Sequence, residues 1–203
     1  VLLRLGHEQL RAVPAAEAIA IEALQDAVAV YRRLLPKHPT HVRLRQHAAR
    51  ALGSLASAQE RTGAVDAALA GYREAIALLG GDAMDLPPEW LDGRAHAAMN
   101  LAGVLANHRQ ADAALAAIAA GERDFAAVGD LPEYRASALR GRGELCLART
   151  VLLGDADPRT EGLLAEAVAL ARQQRLLEPE DAETAAMLVR RIDNLATLLA
   201  DRK

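Results

Sequence analysis

Residues 49–79 read ARALGSLASAQERTGAVDAALAGYREAIALL. Before Gly63, Leu52, Leu55, Ala56 and Gln59 fall on one face at helical spacing. After it, Val65, Ala68, Leu69, Tyr72, Ala75, Ile76 and Leu79 do the same. The pattern is that of a helix, a tight turn and a second helix. The turn is short, so the two helices run antiparallel.

The unit repeats. Leu-Ala recurs at Leu55-Ala56, Leu101-Ala102, Leu147-Ala148 and Leu195-Ala196, at spacings of 46, 46 and 48 residues. Ala68, Tyr72 and Ala75 of the second helix recur as Ala114, Ile118 and Gly121, then as Thr160, Leu164 and Ala167. The frame extends back to Ala20, Leu24 and Ala27. A fixed period over the whole chain predicts an α-solenoid, in which each helix pair buries its face only against its neighbours.

The central unit resembles a tetratricopeptide repeat. The family places a large and a small residue mid-way along the first helix, Gly at the turn, small residues early and late in the second helix, and an aromatic between them. Leu55, Ala56, Gly63, Ala68, Ala75 and Tyr72 occupy those places. The period exceeds the family's usual length of about 34 residues by roughly three helical turns. Leu52 stands where a Trp is usual, and Thr160 where a small Ala is usual. The resemblance is thus to a long-helix variant. It implies an all-α, right-handed superhelix of antiparallel helix pairs whose first helices line a concave groove. The expected organisation is one repeat domain over 1–203, with units near 1–39, 40–81, 86–129 and 131–176 and a final helix at 179–203.

Composition agrees with an all-helical chain. Of 203 residues, 52% are hydrophobic but only 2% aromatic, and Ala-faced helices can stack closely without bulky side chains. No alternating strand pattern is present. A net charge of −3 argues against wholesale nucleic-acid binding. No apolar run reaches the length of a membrane span. A single Cys excludes an internal disulfide framework and fits a reducing, cytoplasmic compartment. Val1 falls within a helical pattern, so the sequence reads as a piece of a longer protein.

Taken in order, a helical remnant is expected over 1–11, then helices near 14–35, 40–61, 65–79, 88–108, 111–128, 131–153, 158–175 and 179–201. Thr40 is the expected N-cap of the third of these. Pro36 and Pro39 end the second, with Arg32 and Arg33 in its last turn, where the helix dipole favours cations. Two related joints, Asp85-Leu-Pro-Pro-Glu-Trp90 and Asp130-Leu-Pro-Glu-Tyr134, put proline in the first turn of a helix. Gly154-Asp-Ala-Asp-Pro158 reads as a turn, since it lacks the ligand spacing of a calcium loop.

Chemistry-bearing patterns are sparse. Gly141-Arg-Gly143 sits inside a helical pattern without the strand that a phosphate loop needs. Cys146 has no activating base beside it in the sequence. His38, His41 and His47 lack metal-ligand spacing. Paired catalytic carboxylates are not evident. The chain is therefore expected to be no enzyme and to need no cofactor or metal.

Two charge features remain. Between Ala27 and Gln59 there is no acid, while Arg32, Arg33, Lys37, Arg43, Arg45 and Arg50 all occur there. This basic stretch can meet an acidic partner or a phosphate; the alternative, which the pattern favours, is a solvated helix-loop-helix surface balanced by acids elsewhere in space. The repeat frame also sets Arg50, His96, Arg142 and Arg190 at one equivalent position, five residues before each Leu-Ala pair. Asn100 and Asn194 follow one turn later, and Arg149 can join the same wall. The resemblance would place this stripe in the concave groove. The family's carboxylate clamp is absent, because Gly53, Ser57, Met99 and Gly103 stand at its places.

The expected function is non-catalytic capture of a protein or peptide partner, acidic in character, in the groove. Two alternatives carry different partners. The chain can be a regulatory region of a larger bacterial-type signalling protein, contacting its own effector or nucleotide-binding domain. It can also be a self-assembly scaffold, pairing through the apolar residues Met187, Leu188, Ile192, Leu195, Leu198 and Leu199 of its last helix.

Overall fold

The computed structural model describes residues 15–81, 83 and 85–201. The expected remnant over 1–11 and the Pro14 helix start lie outside these residues. Eight α-helices span the described residues: α1 Ala15–Leu34, α2 Val42–Arg61, α3 Val65–Leu78, α4 Pro88–Asn107, α5 Ala111–Val128, α6 Pro132–Leu153, α7 Arg159–Leu177 and α8 Ala182–Asp201. No strand occurs among the described residues. No described helix is long and apolar enough to cross a membrane. The chain falls into two compact units, Val1–Asp82 and Ala83–Lys203.

Several helix ends differ from expectation by one cap. His41, not Thr40, caps α2, its Nδ1 accepting from the Leu44 N–H at 3.2 Å. The chain needs Thr40 to complete the turn after Pro39, in which the His41 N–H reaches the His38 carbonyl. α8 starts at Ala182 rather than Pro179, because the Asp181 carboxylate accepts from the Thr184 N–H at 2.8 Å. These bonds, the Thr184 hydroxyl foremost, hold the Asp181 carboxyl below the usual range. Pro88 and Pro132 open α4 and α6 as expected.

In the first unit α2 packs against both α1 and α3. Its core is Val28, Leu52, Leu55, Ala56, Ala68, Leu69, Tyr72 and Ala75. Gly71 lets α3 close on α2, for a Cβ there would stand 3.0 Å from that of Ala56. Burial and nearby Glu60 push the Tyr72 hydroxyl up to about 12. An Arg32–Glu74 ion pair at 2.6 Å ties α1 to α3.

In the second unit α4 packs on α5 and α6, α5 on α6, α6 on α7, and α7 on α8. The repeat frame is visible in burial. Ala114, Ile118 and Gly121 of α5, and Thr160, Leu164 and Ala167 of α7, are all buried, as are Ala68, Tyr72 and Ala75 of α3. The Thr160 hydroxyl donates to the Gly154 carbonyl at 2.7 Å, fastening the turn before α7. In α1 the frame weakens, with Ala20 exposed. In α8 Ala196 is exposed beside Val189, Ile192 and Leu199.

Two arginines are buried to 1% exposure. Arg94 makes a bidentate pair with Asp124 at 2.7 and 2.8 Å and also donates to the Ala83 carbonyl at 2.7 Å. Arg191 reaches from α8 to the Ala167 carbonyl, the Arg140 carbonyl and Glu144 Oε1, at 3.1, 3.3 and 2.8 Å. Arg191 and the Phe125 ring depend on absent bulk nearby. A Cβ on Gly143 would lie 2.1 Å from the Arg191 guanidinium, and one on Gly141 would lie 2.1 Å from the fully buried Phe125 ring.

Gly141→Ala gains helix propensity, about 1 kcal/mol, yet it must displace a locked aromatic ring. The expected net result is a loss of about 1–3 kcal/mol, read from urea unfolding, which shrinks in a Phe125→Leu background. An alanine variant as stable as the native chain would refute this packing.

The turns of the α2–α3 and α4–α5 pairs share one geometry. Gly63 has φ +81°, and the next N–H, of Ala64, reaches the Gln59 carbonyl at 2.8 Å. Arg109 occupies the corresponding place after α4 at φ +55°, with Gln110 N–H bonded to the Leu105 carbonyl at 2.9 Å. A side chain is disfavoured in this left-handed region. Arg109→Gly should therefore raise stability by about 0.5–1 kcal/mol; a lower urea midpoint would contradict the assignment.

Candidate functional site

The second unit holds a cleft of ≈ 400 Å³ among α4, α6 and α8. α4 and α6 are the first helices of two successive pairs, and α8 follows the second pair. From α4 come His96, Met99 and Asn100; from α6, Arg140 and Glu144; from α8, Glu183, Ala186, Met187 and Arg190. Met99, Ala186 and Met187 supply its apolar part, and the remainder is polar or charged. The side chains converge because each helix buries its opposite face: Ala95 and Ala98 on α4, Gly141 and Leu145 on α6, Thr184 and Arg191 on α8.

Of the sequence-derived stripe, His96, Asn100 and Arg190 meet in this cleft. Arg142 is exposed but lies outside the cleft lining. The arginine from α6 that lines it is Arg140, two positions earlier and so nearly half a turn round the helix. Asn194 is exposed on α8 and also outside the lining. Arg149 is engaged elsewhere, in a bidentate pair with Glu122 of α5 at 2.5 and 2.8 Å. Arg50 belongs to the first unit and is exposed on α2.

The charged groups of the cleft differ in freedom. Neither Arg140 nor Arg190 makes a side-chain ion pair among the described residues. Glu144, by contrast, is held by Arg191. The lining therefore offers two arginines, an amide and an imidazole, with Glu183 as the carboxylate on the α8 side.

His96 is anchored from below. Its ring meets Phe125 edge-on, with centroids 5.2 Å apart at 85°. Its Nε2 is 2.7 Å from Ser137 Oγ, and the Ser137 hydroxyl donates to Asp92 Oδ1 at 2.8 Å. With its proton on Asp92, the hydroxyl oxygen accepts from the imidazole N–H. That direction is the reverse of serine activation, in which the imidazole accepts the hydroxyl proton. The network instead orients the ring at the cleft wall. Asp92 and His96 are one turn apart, a spacing visible in the sequence; Ser137, on another helix, carried no signal.

The remaining sequence candidates are absorbed by structure. The buried Cys146 packs with Leu139, Ala167 and Leu170, and burial pushes its thiol up to about 11. It is thereby held in the unreactive protonated form. Asp157 accepts from the backbone N–H of Arg159 at 2.9 Å and from its guanidinium, organising the turn into α7. No group of three or more potential metal-ligating side chains gathers among the described residues.

Burial lowers the pKa of His96 from its ordinary 6.5, against an upward pull from Asp92 and with a further downward push from Arg140. The unfolded chain thus takes up this proton at a pH where the folded chain does not. Its contribution to stability is intact above the ordinary histidine value and is lost as pH falls through it toward the folded value. The urea midpoint should drop less between pH 7.5 and 5.5 in His96→Gln than in the native chain. Equal drops would show that His96 is not the group responsible.

No protein-family model and no curated protein matches the chain.

Proposed function

We propose that the chain is a non-catalytic, tetratricopeptide-like repeat domain that captures a segment of a partner protein on the faces of its first-of-pair helices. The observation that carries this reading is the convergence of α4, α6 and α8 on one cleft. It joins an apolar patch, Met99 and Met187, to two arginines without ion-pair partners among the described residues. Such a combination suits peptide capture. Thioether side chains adapt to varied apolar groups, while Arg and Asn orient a main chain or a carboxylate through fixed donor geometry.

The mechanism is binding to a largely preformed wall. His96 is fixed by Phe125 and Ser137, and α8 is fixed to α6 by the buried Arg191. The fixed part of the wall costs little to order, and the ordering cost falls on Arg140, Arg190 and the methionines. A right-handed superhelical arrangement of the repeat pairs belongs to this proposal, as does a cytoplasmic location.

Selection from a random-peptide display library, followed by anisotropy titration of the enriched sequences, tests it. Arg140→Ala with Arg190→Ala should weaken binding roughly tenfold or more, about 1.4 kcal/mol. Arg142→Ala, outside the cleft, should leave affinity within about twofold. A folded chain that enriches no sequence, or enriched peptides indifferent to the cleft variants, would sink the proposal.

A further inference from the structure

The first unit carries a second surface with different chemistry. On α2, Arg43, His47, Arg50, Ser54, Ser57 and Arg61 follow one another at intervals of four, three, four, three and four residues. That spacing keeps all six on one side of an α-helix. The opposite side, with Ala48, Ala49, Leu52, Leu55 and Ala56, is buried. Ser57 is half-buried, and the other five are exposed.

This face holds no acid. The one acidic residue of α2, Glu60, accepts from the Tyr72 hydroxyl at 3.4 Å and so belongs to the packing of α2 on α3. The basic residues nearby divide into two groups. Arg32 pairs with Glu74, and Arg45 donates to the Leu78 carbonyl at the end of α3. Arg43, His47 and Arg50 make no side-chain hydrogen bond or ion pair among the described residues. Arg61 donates to the Ser57 hydroxyl at 3.1 Å, which fixes that hydroxyl on the stripe.

We infer that this face of α2 docks an extended, carboxylate-rich segment of a partner protein. The spacing decides the partner's form. At 1.5 Å rise per residue, Arg43 and Arg50 stand about 10 Å apart and Arg61 about 16 Å further on. Arg43 and Arg50 are close enough for their long side chains to share one anion, but a row that runs on to Arg61 outreaches a single phosphate. The three match a row of carboxylates along an extended chain of about eight residues, at roughly 3.3 Å each. The exposed Ser54 hydroxyl can donate to the same carboxylates, while Ser57 is engaged by Arg61 and Tyr72. The face carries no Phe, Tyr or Trp, so it offers single-stranded nucleic acid little of the stacking platform it uses. The inference stands apart from the cleft of the second unit, with which it shares no residue.

The probe is a labelled ten-residue polyglutamate peptide, titrated by fluorescence anisotropy at 50 and 150 mM salt. Arg43→Gln with Arg50→Gln should weaken binding about tenfold. Arg73→Gln with Arg172→Gln, which removes the same charge from exposed positions elsewhere, should weaken it less than about twofold. Arg140→Ala with Arg190→Ala should leave it unchanged, separating this surface from the cleft. All the substituted residues are wholly or partly exposed, and circular dichroism confirms that each variant folds. Equal losses in the two glutamine pairs would overturn the inference by reducing it to bulk charge. Tighter binding of a ten-nucleotide oligothymidine would overturn it in favour of nucleic acid. Loss in the cleft variant, or no binding by the folded native chain, would also overturn it.

Discussion

Two absent side chains on α6 govern how the second unit closes. At Gly141 the backbone meets the edge of the Phe125 ring, and at Gly143 it meets the guanidinium of Arg191. A helix interior ordinarily disfavours glycine. Here the loss is offset by what the gaps admit: a fully buried aromatic from α5 on one side and a buried cation from α8 on the other. Phe125 then supports His96, and Arg191 engages Glu144. The two groups that shape the cleft thus rest on side chains that α6 has made room for.

The arginines follow the same logic of neighbours. Arg190 and Arg191 are adjacent in sequence, yet one lines the cleft and the other is buried. A buried guanidinium is tolerable only with its charge answered and most of its donors engaged, which Glu144 and two carbonyls do for Arg191. Arg94 reaches the same end through Asp124 and the Ala83 carbonyl. Neither pair needs to add net stability over an apolar substitute. A shift of either helix would strand a charge in the interior.

Much of the helical architecture was legible in the residues. Small side chains recurring at Ala68, Ala114 and Thr160 marked close helix contacts, and prolines at 88 and 132 marked helix starts. What remained hidden depended on partners distant in the chain. Gly141 and Gly143 could be excluded as a phosphate loop, but nothing local showed which side chains would fill their gaps. The 46-residue frame brought His96 and Arg190 to one cleft but pointed to Arg142, whereas α6 contributes Arg140. A period defined by the best-conserved spacing of Leu-Ala pairs fixes the buried face; small differences in helix phase then decide which polar residue faces outward. Arg149 carried the right charge and lay close in the frame, but Glu122 on α5 had already claimed it.

Glu144 belongs to two structures at once. It lines the cleft, and its carboxylate answers the buried charge of Arg191. A cationic visitor to the cleft would compete for that carboxylate, and each step of its success would leave a guanidinium uncompensated in the interior. A visitor bearing negative charge meets Arg140 and Arg190 instead and leaves the inner pair intact. Were the cleft to take a ligand, a cation at Glu144 would carry this penalty and an anion would not, with Glu183 the carboxylate exempt from it.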